Sequence, residues 1–260
     1  MKAFRNGAIG VAVLLAACNT EGTGPELTPL QSLILNRDVA LVAADAVGQD
    51  IEIMGGPGGS FGFGFAPSSA GSDEPNHPFR CGTNEREHLT IIRTCIFKDA
   101  SGATQPGYDA TTTASVAVHA EIEGEIVRDN WSASVKRVRD FVVSGLAGTE
   151  TTRTWNGTGS GTSTRSRHRD NNETRQYDVT ATGTVTNVVV PVPRTDNGWP
   201  LSGTIAKQIT VKITGGPHDG ATRTRNVLIT FNGTQFVPIK VNENTFTFDL
   251  RTRRIVRDDG

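Results

Sequence analysis

Three cations fall where the alternation of the chain calls for apolar residues. Val116, Val118, Ala120, Ile122, Gly124 and Ile126 alternate with Ser115, His119, Glu121, Glu123 and Glu125, the pattern of a strand with one buried face. Taking Asp129-Asn130 as a two-residue turn sets Val118 opposite Phe141, Ile122 opposite Arg137, Ala120 opposite Arg139 and Glu123 opposite Lys136. Apolar positions then match on one side, and an opposite-charge pair forms on the other. Arg137 and Arg139 go to the apolar side. Lys207 likewise interrupts the apolar set Leu201, Gly203, Ile205, Ile209, Val211 and Ile213. Cations in an apolar concavity suit an amphipathic anion such as a fatty acid or lipid headgroup, which makes Arg137, Arg139 and Lys207 candidate ligand-binding residues. The competing expectation is that this part of the sheet twists out of the core and leaves them solvated.

Other clusters carry weaker chemistry. His119, Glu121, Glu123 and Glu125 form an acidic row, but alternate residues on one strand lie ~6.5–7 Å apart, too wide for one metal ion without a second strand. A solvated face paired with Lys136 is expected, and no metal or cofactor is assigned. Gly58-Gly59-Ser60-Phe61-Gly62 matches the G-x-S-x-G nucleophile elbow. That device needs a strand before it and a helix after it. Glycines precede this one, and the alternating Phe61, Phe63 and Phe65 follow, so a serine hydrolase is the weakest reading even with His77 and His88 near in sequence. Arg165, Arg167, His168, Arg169 and Arg175 crowd one expected hairpin tip, a candidate patch for an anionic partner. The basic run Arg251, Arg253, Arg254 and Arg257 reads as solvated. Asn130, Asn156, Asn172 and Asn232 sit in N-x-S/T sequons and read as polar residues of turns and strand ends.

The elements that must position these residues are mostly strands. Twenty-nine glycines, many threonines and 6% aromatic residues favour strands and turns over a helical bundle. Thr28-Pro29 supplies an N-cap and a first-turn proline, and Leu35, Val39, Val42 and Ala46 follow at helical spacing with Leu30 and Ile34 flanking. One amphipathic helix is predicted over about 29–47, then a loop rich in Gly, Pro and Ser over 55–88. From Leu89 onward the period is two, and about nine strands are expected. Several are 13 to 17 residues long against a usual mode of ~5–6, with glycines on the inner face. The fold expected is mainly β: an N-terminal helix and a long-stranded antiparallel meander forming a curved sheet or half-barrel, with a β-sandwich as the alternative.

The N-terminus gives an address. Lys2 and Arg5 precede an apolar run, Ala8 to Leu14, and then Leu15-Ala16-Ala17-Cys18. This layout is that of a secretory signal peptide, and its last four residues resemble the lipobox of bacterial lipoproteins. The resemblance implies cleavage after residue 17, a diacylglyceryl and palmitate-bearing Cys18, and a membrane anchor. Asn19 stands where enteric inner-membrane lipoproteins carry aspartate, so the resemblance favours the outer membrane. The apolar run is too short to span a bilayer, which needs ~20 residues. With Cys18 so used, Cys81 and Cys95 remain as a pair in a compartment where disulfides persist. The division expected is a removed signal peptide at 1–17, a lipidated tether at 18–27 and a single helix-plus-β domain at 28–260. The 243 residues after the signal carry 24 basic and 27 acidic side chains, a balance that argues against a nucleic-acid partner. The resulting expectation is a lipid-anchored, non-catalytic envelope module that binds an envelope protein, a polysaccharide or a lipid. A lipid carrier using the concave sheet face is the alternative.

Overall fold

The structure, a computed structural model, describes residues 23, 26–53, 81–86, 88–128, 131–146, 148–168, 174–192, 198–215, 219–252 and 254–256. Cys18, the Gly-rich segment with Ser60, and Arg169 lie outside the described residues.

Among the described residues, one helix and one sheet make up the fold. Helix α1 (Pro29–Ile53) opens on a reciprocal capping box. Gln31 N–H donates to Thr28 Oγ1 at 3.3 Å, and Thr28 N–H donates to Gln31 Oε1 at 2.8 Å. The helix runs six residues past the predicted end because its buried stripe continues: Leu35, Asn36, Val39, Ala40, Ala43, Ala44, Val47 and Asp50 all lie against the sheet. Leu30, expected to flank that stripe, is exposed, since burial begins only at Leu35.

The strands are β1 (Gly82–Arg86), β2 (Leu89–Asp99), β3 (Thr104–Gln105), β4 (Thr113–Arg128), β5 (Trp131–Ser144), β6 (Thr152–His168), β7 (Thr174–Pro191), β8 (Ser202–Thr214), β9 (Thr222–Thr230), β10 (Phe236–Val241), β11 (Asn244–Asp249) and β12 (Arg254–Val256). All belong to one antiparallel sheet in chain order, with the short β3 paired to β2 beside the main path. The sheet is open, edged by β1 and β12, and is neither a barrel nor a sandwich. Among the described residues twelve strands stand where nine were expected, because β1, β3 and β12 are too short to show a period. One of them, β1, lies inside the segment read as loop.

The expected β4–β5 register is the observed one. Val118 faces Phe141, Ile122 faces Arg137, and Ala120 faces Arg139. Lys136 and Glu123 pair at 3.6 Å on the outer face. The inner face packs with α1 into a core that includes Phe141, Trp155, Ile205, Ile209, Ile229 and Phe248. The ring of Phe141 meets Trp155 edge-on at 5.9 Å between centroids. Three register shifts interrupt the ladders, and bulges of this kind bend a strand and increase its twist; two of them involve the long strand β7. At one, Asn156 drops out of the β6–β7 pairing, and its Oδ1 accepts from Asn187 N–H at 2.8 Å. That places Asn156 inside a strand rather than at its end. At the other, Gly203 approaches β7 so closely that a Cβ would stand 2.3 Å from the Asn187 carbonyl oxygen, and its φ of +100° also suits glycine.

Cys81 and Cys95 form a disulfide with Cα atoms 5.9 Å apart. It closes the edge hairpin β1–β2, where Gly82 pairs with Arg93.

Candidate functional site

A single cross-strand row organises the inner face. Arg139 on β5 pairs with Gly159 on β6, Gly159 with Gly183 on β7, and Gly183 with Lys207 on β8. The two glycines leave the middle of the row bare, and the two long cations lie inward across it. A Cβ on Gly159 would stand 2.6 Å from Arg139 Cδ, and one on Gly183 would stand 3.0 Å from Lys207 Cγ. Asp50 descends from α1 into this gap. Its Oδ1 accepts from Arg139 Nε at 2.6 Å, and its Oδ2 accepts from Lys207 Nζ at 2.7 Å. Arg139 Nη1 also donates to the carbonyls of Val138 and Ser160, both at 2.9 Å.

Burial decides the electrostatics of this triad. Asp50 is 1% exposed, Arg139 4% and Lys207 7%. Desolvation alone would raise the Asp50 pKa, but the two cations and their hydrogen bonds hold it down to about 2. At Lys207 desolvation dominates, and with the nearby Arg139 and Arg137 it pushes the ammonium below its usual range despite Asp50. The expectation that the three cations are solvated is therefore corrected for Arg139 and Lys207, while Arg137 is half-buried. Wide glycine gaps and a carboxylate from the helix let the sheet bury Arg139 and Lys207.

A second polar tie anchors the helix earlier. Asn36 donates through Nδ2 to Asn244 Oδ1 at 2.6 Å, while its Oδ1 accepts from Arg225 Nε at 2.5 Å. Between Asn36 and Asp50 the helix rises ~21 Å, so the two ties pin it from β9 and β11 across to β5 and β8. Beneath it a cavity of about 30 Å³ remains, lined in part by Val42, Ala46, Arg137, Arg139 and Lys207. Ligand pockets run to ~300–1,000 Å³, so this space takes about one water and no acyl chain. The apolar concavity expected to receive a ligand is filled by α1.

The open concavity lies on the opposite face. A twisted sheet is saddle-shaped, so a second hollow forms across the first. Here it is a groove of about 1000 Å³ crossing β5 to β10. Thr158, Ser160, Thr182, Thr184, Gln208 and Asn226 line it, with Asp140 on one side and Lys240 and Glu243 on the other. At that Asp140 side, His119 Nδ1 lies 2.7 Å from Asp140 Oδ1, and its Nε2 lies 3.3 Å from Glu121 Oε1. The hydrogen bond to Asp140, then that to Glu121, raises the His119 pKa. Hydroxyl and amide groups share the lining with Ala206, Lys207, Val227 and Leu228, so the groove can exchange neutral hydrogen bonds and also offers apolar surface. It holds no nucleophile paired with a base. Among the described residues no group of three His, Cys, Asp or Glu could hold a metal ion.

Arg165, Arg167 and His168 end β6 and Arg175 opens β7, so the backbone of these residues lies at the tip of the β6–β7 hairpin, on the strand ends that flank its turn. Arg167 pairs with Arg175, and Arg165 with Tyr177. Sequence reasoning missed Asp50, although it stands four residues after Ala46 on the helix stripe. A lone acid on that apolar stripe, set against cations on apolar strand faces, was the available signal. Comparison with protein-family models, curated proteins and solved structures finds no match to the chain.

Proposed function

We propose that the chain is a lipid-anchored, non-catalytic module of a bacterial envelope, held at the outer membrane through Cys18, and that it binds a polysaccharide in its outer-face groove. The groove carries this reading. It is wide and open, and its threonine, serine, glutamine and asparagine side chains stand beside apolar surface at Ala206 and Leu228, with Asp140, Lys207, Lys240 and Glu243 as its charges. A polyhydroxylated chain offers the alternating donors and acceptors that such a lining satisfies. An acyl chain would leave those groups unpaired, at the cost of desolvating each. The Leu15-Ala16-Ala17-Cys18 sequence supports the anchor.

The test has two arms. In cells, Cys18→Ser is expected to abolish palmitate labelling and membrane fractionation; retention of both overturns the anchor. In vitro, the mature chain is titrated with solubilised envelope polysaccharides, and Thr182→Trp, which fills the groove from the exposed face, is expected to weaken binding at least tenfold. Equal binding by Thr182→Trp overturns the groove as the site.

A further inference from the structure

Building on the groove as the polysaccharide site, we infer that it selects N-acetylated amino sugars. The acetamido group is taken where two side-chain amides, Gln208 and Asn226, stand beside two apolar side chains, Ala206 and Leu228.

Register builds the patch. Two cross-strand rows cross the groove. One, Ser160–Thr182–Gln208–Asn226, runs over β6 to β9 and is polar throughout. The other, Asp140–Thr158–Thr184–Ala206–Leu228–Lys240, runs over β5 to β10 and turns apolar at β8 and β9. Partners within a row stand ~4.8 Å apart, and the two rows lie ~6.5–7 Å apart along the strands. Gln208 and Asn226 are therefore direct neighbours across β8 and β9, and Ala206 and Leu228 repeat that pairing one pleat away. All four side chains are exposed and line the groove. On this face of β9 the residues on either side of Leu228 are polar, Thr224 and Asn226 before it and Thr230 after it, so its apolar side chain breaks the pattern where the groove runs. Asn226 projects from a fixed base: its N–H donates to Asn242 Oδ1 at 2.9 Å, and its carbonyl accepts from Asn242 N–H at 2.9 Å.

The acetamido group matches both halves of this patch. Its N–H and C=O pair with side-chain amides, each of which offers a carbonyl acceptor and two N–H donors. Its methyl group is apolar and gains by leaving water beside Ala206 and Leu228. A sugar with a hydroxyl in that place sets a polar group on the apolar pair, where it finds no partner. The other hydroxyls of the chain meet Ser160, Thr182 and the threonines of the second row. From β5 to β10 the groove spans five strand intervals, ~24 Å, so an oligosaccharide lies across the strands with its substituents reaching both rows.

Two probes separate this class from other polysaccharides: the hexamer of N-acetylglucosamine and the hexamer of glucose with the same linkage, which differ in one substituent per unit. Titrated into the mature chain by calorimetry, the acetylated hexamer is expected to bind at least tenfold more tightly than the glucose hexamer. Leu228→Thr and Gln208→Leu change exposed side chains, so both variants should keep the parent's thermal midpoint. Each is expected to lose at least threefold of the preference. Equal affinity for the two hexamers overturns the acetamido selection, and it leaves the groove as the polysaccharide site if Thr182→Trp weakens both. A preference unchanged in Leu228→Thr and in Gln208→Leu overturns the patch as its source. Binding of neither hexamer overturns the selection as well, and the titration with solubilised envelope polysaccharides then decides whether the groove falls with it.

Discussion

The carboxylate of Asp50 meets Nε of Arg139 at 2.6 Å, joining the helix to a strand 89 positions later in the chain. Lys207 closes the other side of the same carboxylate at 2.7 Å. One acid therefore bridges cations from β5 and β8 and fixes how far α1 slides over the sheet. Removing it leaves two buried charges without their partner, and breaking a buried pair in this way costs about 3–5 kcal/mol. Asp50→Asn is expected to show that loss in urea unfolding. An unchanged midpoint would mean that the triad does not hold the helix.

The same carboxylate gives an acid signature. Its folded pKa of about 2 lies below its ordinary 3.8, so its contribution is complete above that ordinary value and is lost as pH falls through about 2. The shift corresponds to about 2 kcal/mol. The difference in stability between the parent and Asp50→Asn should therefore shrink between pH 4 and pH 2. A constant difference over that window would contradict the assignment.

Charge is not the only way to fill this site. Well-packed apolar groups of similar volume often replace a buried ion cluster at no cost. Asp50→Leu/Arg139→Met/Lys207→Met should recover most of the stability lost in Asp50→Asn, measured in the same unfolding experiment. A triple variant no more stable than Asp50→Asn would show that the charges themselves are needed.

Period-two alternation was enough to place Arg137, Arg139 and Lys207 on the inner face, and it placed the β4–β5 register correctly. It could not say what meets them. Asp50 comes from a helix, whose facing residue depends on crossing angle and depth, and neither is written in local spacing. The groove was illegible for a related reason. Alternation marks the threonine face as solvent-exposed, but the saddle that turns it into a hollow arises from twist summed over six strands. Short elements such as β1 and β12 offer too few residues for any period to register.

The glycines of the row carry a prediction of their own. Gly159→Val would drive a branched side chain into Arg139, where even a Cβ comes within 2.6 Å of Cδ. Overpacking of this kind costs about 1–3 kcal/mol, although valine is otherwise the better strand former. Thr158→Val, one residue away on the outer face, should change stability by about 0.5 kcal/mol or less. Equal effects in thermal unfolding would show that the gap at Gly159 is not needed.

The Cys81–Cys95 disulfide secures the edge of the sheet. It closes a loop of 15 residues, worth about 3 kcal/mol in the chain-entropy model. Cys81→Ser/Cys95→Ser should lower stability by that order. Hydrogen exchange should rise first in β1, whose partner is β2 alone. Protection in β1 equal to the parent's would assign the hold to backbone pairing.

His119 offers the pH response closest to the groove. Its hydrogen bonds to Asp140 and Glu121 raise its pKa above the ordinary 6.5. Being raised, it favours the folded state fully below that ordinary value, and the effect fades as pH rises through the folded pKa. The imidazole is 43% exposed, so solvent screens the pair and the stability change is small. Its titration is the better readout. In Asp140→Asn, the His119 midpoint followed by NMR should fall toward 6.5, because the largest cause of the rise is gone. Asp140 also lines the groove, and with His119 neutral its carboxylate loses a compensating charge. An acidic polysaccharide should then bind more weakly above the His119 midpoint than below it, while a neutral one should show no such step. A step of equal size for both would separate His119 from the groove.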